Sequence, residues 1–293
     1  MAAMRADAPH PEALIAVDGG GTGCRLVLWR KGIPATAESG PANLSSDFEG
    51  ALRSIRAGLS TLSAHTGCNL GEVPAYLALA GAITPDLCRR AEAALPLNRV
   101  RVEEDRRAAV RGALGTEAGG VLHAGTGSFV AVQDPRGNFR TAGGHGHVLG
   151  DDASAYSIAR AALSASLEAA DGTGPATDLT ETLLFRFDGA AGVIAFATEA
   201  GPDEIARLAS AVTDAIDDPV ARRIITDGAA YFARILPALG WTDDLPLCLT
   251  GGVGPAFSTV LPHPLRTALR PALGTPLDGA LALAADFARE LPA

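Results

Sequence analysis

The chain carries one segment twice: a short apolar strand, a tight turn rich in glycine, and a second strand. The first copy is Asp18-Gly19-Gly20-Gly21-Thr22-Gly23, between the apolar runs 14–17 and 25–29, and the second has Gly125-Thr126-Gly127-Ser128 as its turn. Strand-like runs separated by such turns predict paired strands. Each copy opens a new series of alternating strands and helices. The sequence therefore predicts two α/β domains of related design.

The length of the chain supports this division. Its 293 residues exceed the usual size of a single small core, and 47% hydrophobic with 19% charged residues indicates packed domains rather than disorder. We place the N-terminal domain at residues 1–116 and the C-terminal domain at residues 117–293, with the last helix free to pack back on the first domain. Residues 1–11 are expected to form a flexible lead-in.

The net charge and the cysteines limit the binding partners and the compartment that the sequence predicts. A net charge of −9 disfavours nucleic acid and anionic membranes, and no apolar run is long enough to span a bilayer. The N-terminus does not resemble a signal peptide. The cysteines are scattered without zinc spacing, which favours free thiols in the cytoplasm: Cys24, Cys68, Cys88 and Cys248.

The glycine turns predict a phosphate-binding device. Neither a P-loop nor a Rossmann fingerprint is present. We expect two glycine hairpins, one per domain, to face a nucleotide cleft, their glycines allowing close approach and positive φ. Thr22, Thr126 and Ser128 add hydroxyl groups, and Asp18 would meet the phosphates through Mg²⁺. The alternative is that both are ordinary hairpins, but a third cluster, Thr250-Gly251-Gly252-Val253-Gly254, follows another buried strand.

These three segments resemble the two phosphate motifs and the adenosine motif of the hexokinase–Hsp70–actin superfamily. More narrowly, residues 143–155 are similar to the G-G-x-G-x-x-x-G-D-x-[GA]-S-A signature of the BadF/BadG/BcrA/BcrD ATPase family, in its N-acetylglucosamine kinase and glucosamine kinase branch. The resemblance implies an α/β fold of two ribonuclease H-like (actin-like ATPase) domains, with ATP and Mg²⁺ bound in the cleft. It also implies phosphoryl transfer to an amino sugar, with O6 as the acceptor.

The resemblance also implies individual roles. Asp105 matches the catalytic base, preceded by Glu104 where the family usually has Asn. Nucleotide contacts fall on Gly19, Gly20, Gly21, Thr22, Gly125, Thr126, Gly127, Ser128, Gly251 and Gly252, with Asp18 on Mg²⁺. Sugar contacts fall on Asn43, Gly81, Asp105, Gly144, His145 and Asp151, with His145 where kinases of N-acetylated sugars often have Trp.

Several alternatives stay open. Residues 103–105 form an acidic run of the kind that often lies on a solvated edge, and Asp151 is a rival base or a simple cap for a helix predicted over 152–170. His145 and His147 alternate as metal ligands do, without a nearby third ligand. Two further functions compete with the amino sugar kinase: an ATPase that activates a partner enzyme, and a nucleotide-binding regulator without turnover. Another sugar, and a homodimer, also stay open.

Overall fold

The computed structural model describes residues 12–292, so the predicted lead-in at residues 1–11 lies outside the described part. The chain forms two compact units. The first contains the described residues up to Thr116 and those from Ala272 onward, and the second runs from Glu117 to Pro271. Residues 272–292, which the sequence places in the C-terminal domain apart from the option for the last helix, thus join the first unit.

In the first unit strands and helices alternate as the sequence predicts, whereas in the second unit three strands are followed by six consecutive α-helices. The strands are β1 Ala13–Gly19, β2 Cys24–Arg30, β3 Ile33–Ser39, β4 Ala75–Leu79, β5 Val100–Glu104, β6 Gly119–Ala124, β7 Ser128–Gln133, β8 Phe139–Gly143 and β9 Leu247–Thr250. The α-helices are α1 Phe48–Thr66, α2 Pro85–Ala94, α3 Asp105–Leu114, α4 Ala155–Ala170, α5 Asp178–Arg186, α6 Ala190–Glu199, α7 Pro202–Ala206, α8 Ala209–Asp214, α9 Pro219–Ile235, α10 His263–Ala268 and α11 Pro276–Glu290. Two short 3₁₀ helices cover Pro237–Leu239 and Gly254–Thr259.

The first unit is a five-stranded mixed sheet in the order β3-β2-β1-β4-β5, covered on both faces. Along β1, Ile15 and Val17 join the apolar cluster that includes α1, whereas Leu14 and Ala16 join the cluster that includes α11. This alternation follows from the two-residue period of a strand. Because both faces are buried, β1 reads as a continuous apolar run.

Helix α11 belongs to the first unit because it packs closely on α3. A Cβ on Gly279 would lie 1.9 Å from the carbonyl oxygen of Ala108, and a Cβ on Gly112 would lie 2.1 Å from the carbonyl oxygen of Thr275. Only glycine allows the two backbones to approach this closely. An ion pair between Arg111 and Asp286 (3.0 Å) adds a polar contact between the same helices.

The second unit is a four-stranded sheet in the order β8-β7-β6-β9, with helices α4 to α9 in its main apolar cluster. Strand β9 lies parallel to β6, while β7 and β8 form an antiparallel meander from β6. The first unit builds its own meander, β1-β2-β3, in the same way. The two carboxyl ends of β6 and β9 lie at one edge of the sheet, which positions the loops that follow them.

The described part of the chain contains no disulfide, no cluster of metal ligands and no membrane-spanning helix. No disulfide joins the cysteines within residues 12–292, and Cys24 and Cys248 are buried. Across residues 12–292, no group of three or more His, Cys, Asp or Glu side chains is arranged to hold a metal ion. Within the same residues, every helix is too short or too polar to cross a membrane.

Candidate active site

The first glycine hairpin, residues 19–23, joins β1 to β2 and is held by backbone hydrogen bonds. The N–H of Gly20 donates to the carbonyl oxygen of Gly23 at 2.8 Å, and the N–H of Ala80 donates to the carbonyl oxygen of Gly19 at 2.7 Å. Thr22 is exposed in this loop, so its hydroxyl is accessible to a ligand. The hairpin is therefore fixed by its neighbours while its outer side stays open.

The glycines of the two hairpins serve close packing and close approach. The predicted positive φ is wrong for them, because no glycine of residues 19–23 or 125–127 has one. A Cβ on Gly19 would lie 2.6 Å from a methyl group of Leu79, which explains that glycine by packing. A Cβ on Gly21 would meet nothing within 4 Å. Within the described chain, neither a positive φ nor close packing requires glycine at position 21. This favours a ligand that approaches the backbone of Gly21.

Asp18 lies at the end of β1 with its side chain mostly buried. Its cross-strand partner is Arg25, whose Nη2 lies 2.5 Å from Oδ2 of Asp18. Burial raises the pKa of Asp18, and the charge and hydrogen bond of Arg25 oppose this rise. No sequence motif marks Arg25, but its position seven residues after Asp18, across a tight hairpin, is the signal that indicates this pairing.

The structure brings Asn43 and Gly81 together. Oδ1 of Asn43 accepts hydrogen bonds from the backbone N–H groups of Ser45 (3.1 Å) and Ser46 (3.2 Å) and from the hydroxyl of Ser45 (3.0 Å). Gly81 has φ +72, and a Cβ there would lie 2.2 Å from that same Oδ1. Asn43 is therefore locked in one orientation against a position that requires glycine.

A pocket of about 250 Å³ within the first unit extends from Gly21 of the first hairpin to Asn43. Its wall includes the polar side chains of Ser46, Asp47 and Arg53. Asp47 caps α1 by accepting a hydrogen bond from the N–H of Gly50 at 2.8 Å. Hydroxyl, carboxylate and guanidinium groups suit a ligand rich in hydrogen-bonding groups.

Asp105 is the first residue of α3, directly after β5. Burial raises its pKa to about 6, with the negative charges of Glu104 and Asp18 adding to the rise and Arg106 opposing it. A carboxyl group with a pKa near neutrality is suited to proton transfer. Asp105, the predicted base, therefore lies in surroundings that raise its pKa towards neutrality.

The acidic run at 103–105 is not a uniform solvated edge, because each acid has its own surroundings. Glu103 accepts a hydrogen bond from the hydroxyl of Tyr76 at 2.6 Å and pairs with Arg107 at 2.9 Å. Glu104 pairs with Arg106. Asp105, in contrast, forms no salt bridge with Arg or Lys in the described chain.

The second glycine hairpin, residues 125–128, joins β6 to β7. It is closed by a hydrogen bond from the N–H of Gly125 to the carbonyl oxygen of Gly127 at 2.9 Å. Thr126 is exposed, as Thr22 is in the first hairpin. Ser128 is buried and its hydroxyl donates to the carbonyl oxygen of Asp152, so this hydroxyl already has a partner inside the protein.

The loop that carries Asp151, residues 143–153, has an unusual backbone. Five of its residues have positive φ: Gly143 (+83), Gly144 (+68), Gly146 (+83), Asp151 (+60) and Ala153 (+72). Positive φ strains a residue other than glycine, and such strain collects at functional sites. Helix α4 begins only at Ala155, with Ser154 as its cap, so the predicted start at residue 152 and the capping role for Asp151 are wrong.

The Asp151 carboxylate lacks one partner. Backbone N–H groups of Ser128 and Gly146 lie near it, but within residues 12–292 its buried Oδ1 atom has no hydrogen-bond partner. Burial raises the pKa of Asp151, while these N–H groups and the charges of His147 and His145 oppose the rise. A buried acceptor without a donor is costly, which favours a ligand that supplies an N–H or O–H.

The two histidines of this loop have different surroundings. His147 contacts the ring of Tyr156, with the ring centroids 4.9 Å apart. His145 is exposed beside Gly150. Neither belongs to a group of three or more potential metal ligands among residues 12–292.

The third glycine loop, residues 251–254, follows β9 and packs on the start of the second hairpin. Gly251 has φ +84, and a Cβ on it would lie 2.2 Å from the carbonyl oxygen of Ala124. The N–H of Val253 donates to that same oxygen at 3.0 Å. Gly252 resembles Gly21, since a Cβ on it would meet nothing within 4 Å. Its place in the loop therefore also favours close approach of a ligand.

Two α/β units that each open with a glycine hairpin, the second also ending a parallel strand in a glycine loop, define a protein of two ribonuclease H-like, actin-like ATPase domains. The chain belongs to the BadF/BadG/BcrA/BcrD ATPase family, whose model matches residues 15–260. The segment that most narrowly predicts this family, residues 143–155, lies inside that match.

Individual relatives are similar over most of their length. The chain is 25% identical to the glucosamine kinase GspK of Vibrio cholerae serotype O1, over 92% of this chain and 95% of that protein. A solved structure from Chromobacterium violaceum, proposed to be an N-acetylglucosamine kinase, is 31% identical with a TM-score of 0.85 over 94% of this chain and 100% of its own. A Porphyromonas gingivalis structure with the same proposed activity, 20% identical, shares the fold with a TM-score of 0.74 over 95% and 100%.

Proposed function

We propose that this protein is an ATP-dependent kinase that transfers the γ-phosphoryl group to a hydroxyl, O6, of an amino sugar, either glucosamine or N-acetylglucosamine. The observation that carries the proposal is Asp105, a largely buried carboxylate at the junction of β5 and α3 whose pKa burial and neighbouring charges raise to about 6. A kinase of this type needs a group that accepts the acceptor's hydroxyl proton near neutral pH. The named activities of the relatives agree with this chemistry.

The nucleotide is proposed to bind along the three glycine segments. Gly21 and Gly252 leave room for a ligand at their backbones, and the exposed Thr22 and Thr126 offer hydroxyl donors. Backbone N–H groups at close range suit phosphate oxygens. The proposed set includes Gly19, Gly20, Gly21, Thr22, Gly125, Thr126, Gly127, Ser128, Gly251 and Gly252.

Magnesium is proposed to accompany the nucleotide near Asp18. Asp18 and Asp105 act on one another as like charges, so a cation close to them would be favoured. Residues 12–292 provide no cluster of three or more ligands, which fits an ion held mainly by phosphates and water. When bound, Mg²⁺ neutralises charge on the phosphate oxygens.

The sugar is proposed to contact Asn43, Gly81, Asp105, Gly144, His145 and Asp151. Asp151 supports this proposal most strongly, because its buried Oδ1 has no hydrogen-bond donor among residues 12–292 and the residue lies in a strained loop. A sugar hydroxyl or amino group is the type of donor that such an oxygen needs. His145 is exposed, and its position does not discriminate between a free and an acetylated amine on the sugar.

The transfer step assigns one role to each group. The acceptor hydroxyl oxygen forms a bond to the γ-phosphorus, and the bond between that phosphorus and the bridging oxygen of ADP breaks. Asp105 accepts the hydroxyl proton, and ADP leaves with the electron pair of the broken bond. Because the transition state is loose, binding and orientation by the glycine segments carry most of the catalysis.

The pH dependence of turnover tests the role of Asp105. We expect kcat/KM to fall as the pH drops through about 6, since protonated Asp105 can no longer accept a proton. Glu104→Gln removes a charge that raises the pKa of Asp105, so the acidic limb should move to lower pH. The measurement is the initial rate of ADP formation from pH 4.5 to 8.

Glu103→Gln is the matched control for this shift. It removes the same charge from the adjacent position, but Glu103 is paired with Arg107 and is not among the main influences on the pKa of Asp105. Its acidic limb should coincide with that of the wild type. Equal shifts in both variants would indicate a general effect of net charge and would contradict the local origin.

A substrate panel tests the proposed function itself. ADP release is measured with ATP and Mg²⁺ against glucosamine, N-acetylglucosamine, glucose, N-acetylmannosamine and no sugar. We expect strong stimulation by one amino sugar, with the product analysed by NMR to locate the phosphate on O6. Equal slow hydrolysis in every well would overturn the sugar assignment and favour the alternative of an ATPase that activates a partner enzyme.

A further inference from the structure

His123 lies at the end of β6, just before the second glycine hairpin, and its strand partner on β9 is Thr250. Nδ1 of His123 is 3.0 Å from the hydroxyl oxygen of Thr250. The imidazole also stacks on Phe129 of β7, with 4.9 Å between ring centroids and 15° between ring planes. The side chain of His123 thus links the ends of β6 and β9, the two strands that lead into the glycine segments, and also contacts the strand that follows the second hairpin.

His123 and Thr250 directly precede two loops that pack on each other, the second glycine hairpin and the third glycine loop. A Cβ on Gly125 would lie 2.9 Å from Nε2 of His123, so the ring supports the first residue of the second hairpin. Thr250 directly precedes Gly251, whose backbone lies against Ala124. A change in the distance between His123 and Thr250 would therefore move the hairpin and the third glycine loop relative to each other.

The surroundings of the ring favour a fixed contact. Burial lowers the pKa of His123 to about 4, so the imidazole stays neutral near physiological pH. A neutral imidazole has one donor and one acceptor nitrogen, and it can bond the threonine hydroxyl in either tautomer. A directional hydrogen bond between two strand ends sets their register and spacing more narrowly than apolar contact does.

We propose that His123 and Thr250 form a positioning pair that holds the second hairpin and the third glycine loop at the spacing that the nucleotide requires. This inference rests on the proposed function, because it assumes that both loops bind ATP. The pair acts through the backbone of these loops and is not assigned a contact with the nucleotide. Its loss should therefore weaken nucleotide binding and leave sugar binding unchanged.

The test measures the Kd of ADP by isothermal titration calorimetry, with the KM of the sugar as the second readout. Thr250→Val keeps the shape of the side chain and removes its hydroxyl, and we expect the Kd to rise by about fivefold to tenfold. Thr250→Ser restores a hydroxyl and should bind nearly as the wild type does. A Kd for Thr250→Val within twofold of the wild type would overturn the proposal.

A double-mutant cycle separates positioning from direct contact. His123→Phe retains a ring that can stack on Phe129 and removes both nitrogens. If the pair acts as a unit, the double variant binds ADP no more weakly than either single variant, whereas additive losses would mean that each residue acts alone. Thermal unfolding confirms that each variant is folded, and either single variant decides the proposal if the other does not fold. Wild-type protein that fails to bind ADP would instead refute the proposed function.

Discussion

Replacing Asp105 by Asn should lower kcat by a factor of about 10² to 10⁴, the range that a positioned general base contributes. Asn has nearly the same shape as Asp but cannot accept the hydroxyl proton. Because the substitution removes a carboxylate and not a backbone contact, the Kd of ADP should stay within a few-fold of the wild type. Single-turnover rates and calorimetric titration measure the two quantities separately.

The same substitution should raise the stability of the protein above pH 6. The pKa of Asp105 is about 6 in the folded chain against an ordinary value of 3.8. At pH values between these two, the folded chain therefore holds this proton more tightly than the unfolded chain does. The loss of folding stability caused by the ionised carboxylate is absent below pH 3.8. It grows as the pH rises from 3.8 to 6 and is complete above pH 6. It amounts to about 3 kcal/mol.

The comparison needs unfolding at two pH values and a control. Asp105→Asn should unfold at a higher denaturant concentration than the wild type at pH 8 and at nearly the same concentration at pH 4. Asp86→Asn, at a carboxylate that is largely exposed, should show no such difference. A loss of ADP binding in Asp105→Asn, with the fold intact, would contradict the assignment of Asp105 as a base that leaves nucleotide binding alone.

Gly279→Ala should destabilise the first unit by about 3 kcal/mol or more. The added methyl group would lie 1.9 Å from the carbonyl oxygen of Ala108 and 2.4 Å from the nitrogen of Gly112, so the backbones of α3 and α11 must separate. Overpacking of a core costs about 1–3 kcal/mol, and here the obstructing atoms are backbone rather than flexible side chain. Thermal unfolding and soluble yield measure the effect.

Gly201→Ala is the control for this substitution. Gly201 has φ −72, and a Cβ there would meet nothing within 4 Å. The melting temperature of this variant should stay within about 2 °C of the wild type, in line with the small effect of surface substitutions. If both variants melted alike, the close contact between α3 and α11 would not be the source of the instability.

Features set by nearby residues could be predicted from the sequence. The two glycine hairpins lie where the apolar runs and turns indicate. The start of α2 is likewise a local feature, because its cap Thr84 and the first helical residue Pro85 are adjacent in the sequence. The fold of two related units follows from the repeat of that pattern. Asp105 at the start of a helix after the last strand of the first sheet follows from the family resemblance.

Features set by distant residues could not be predicted. The glycines of the first hairpin suggest positive φ, yet Gly19 is required by Leu79, about sixty residues further along the chain. The late start of α4 depends on the strained backbone at Asp151 and Ala153, which no helix periodicity reveals. His123 gives no sign in its own strand that Thr250 lies beside it.

The first unit is assembled from both ends of the described chain, and this has a consequence during synthesis. The side chains of α11 cover one apolar face of the first sheet, which includes Leu14, Ala16 and Tyr76. Between Thr116 and Ala272 the ribosome must add the roughly 155 residues of the second unit. At ~5–20 residues per second this takes about 8 to 30 s, during which that apolar face of the nascent sheet stays uncovered and open to chaperones.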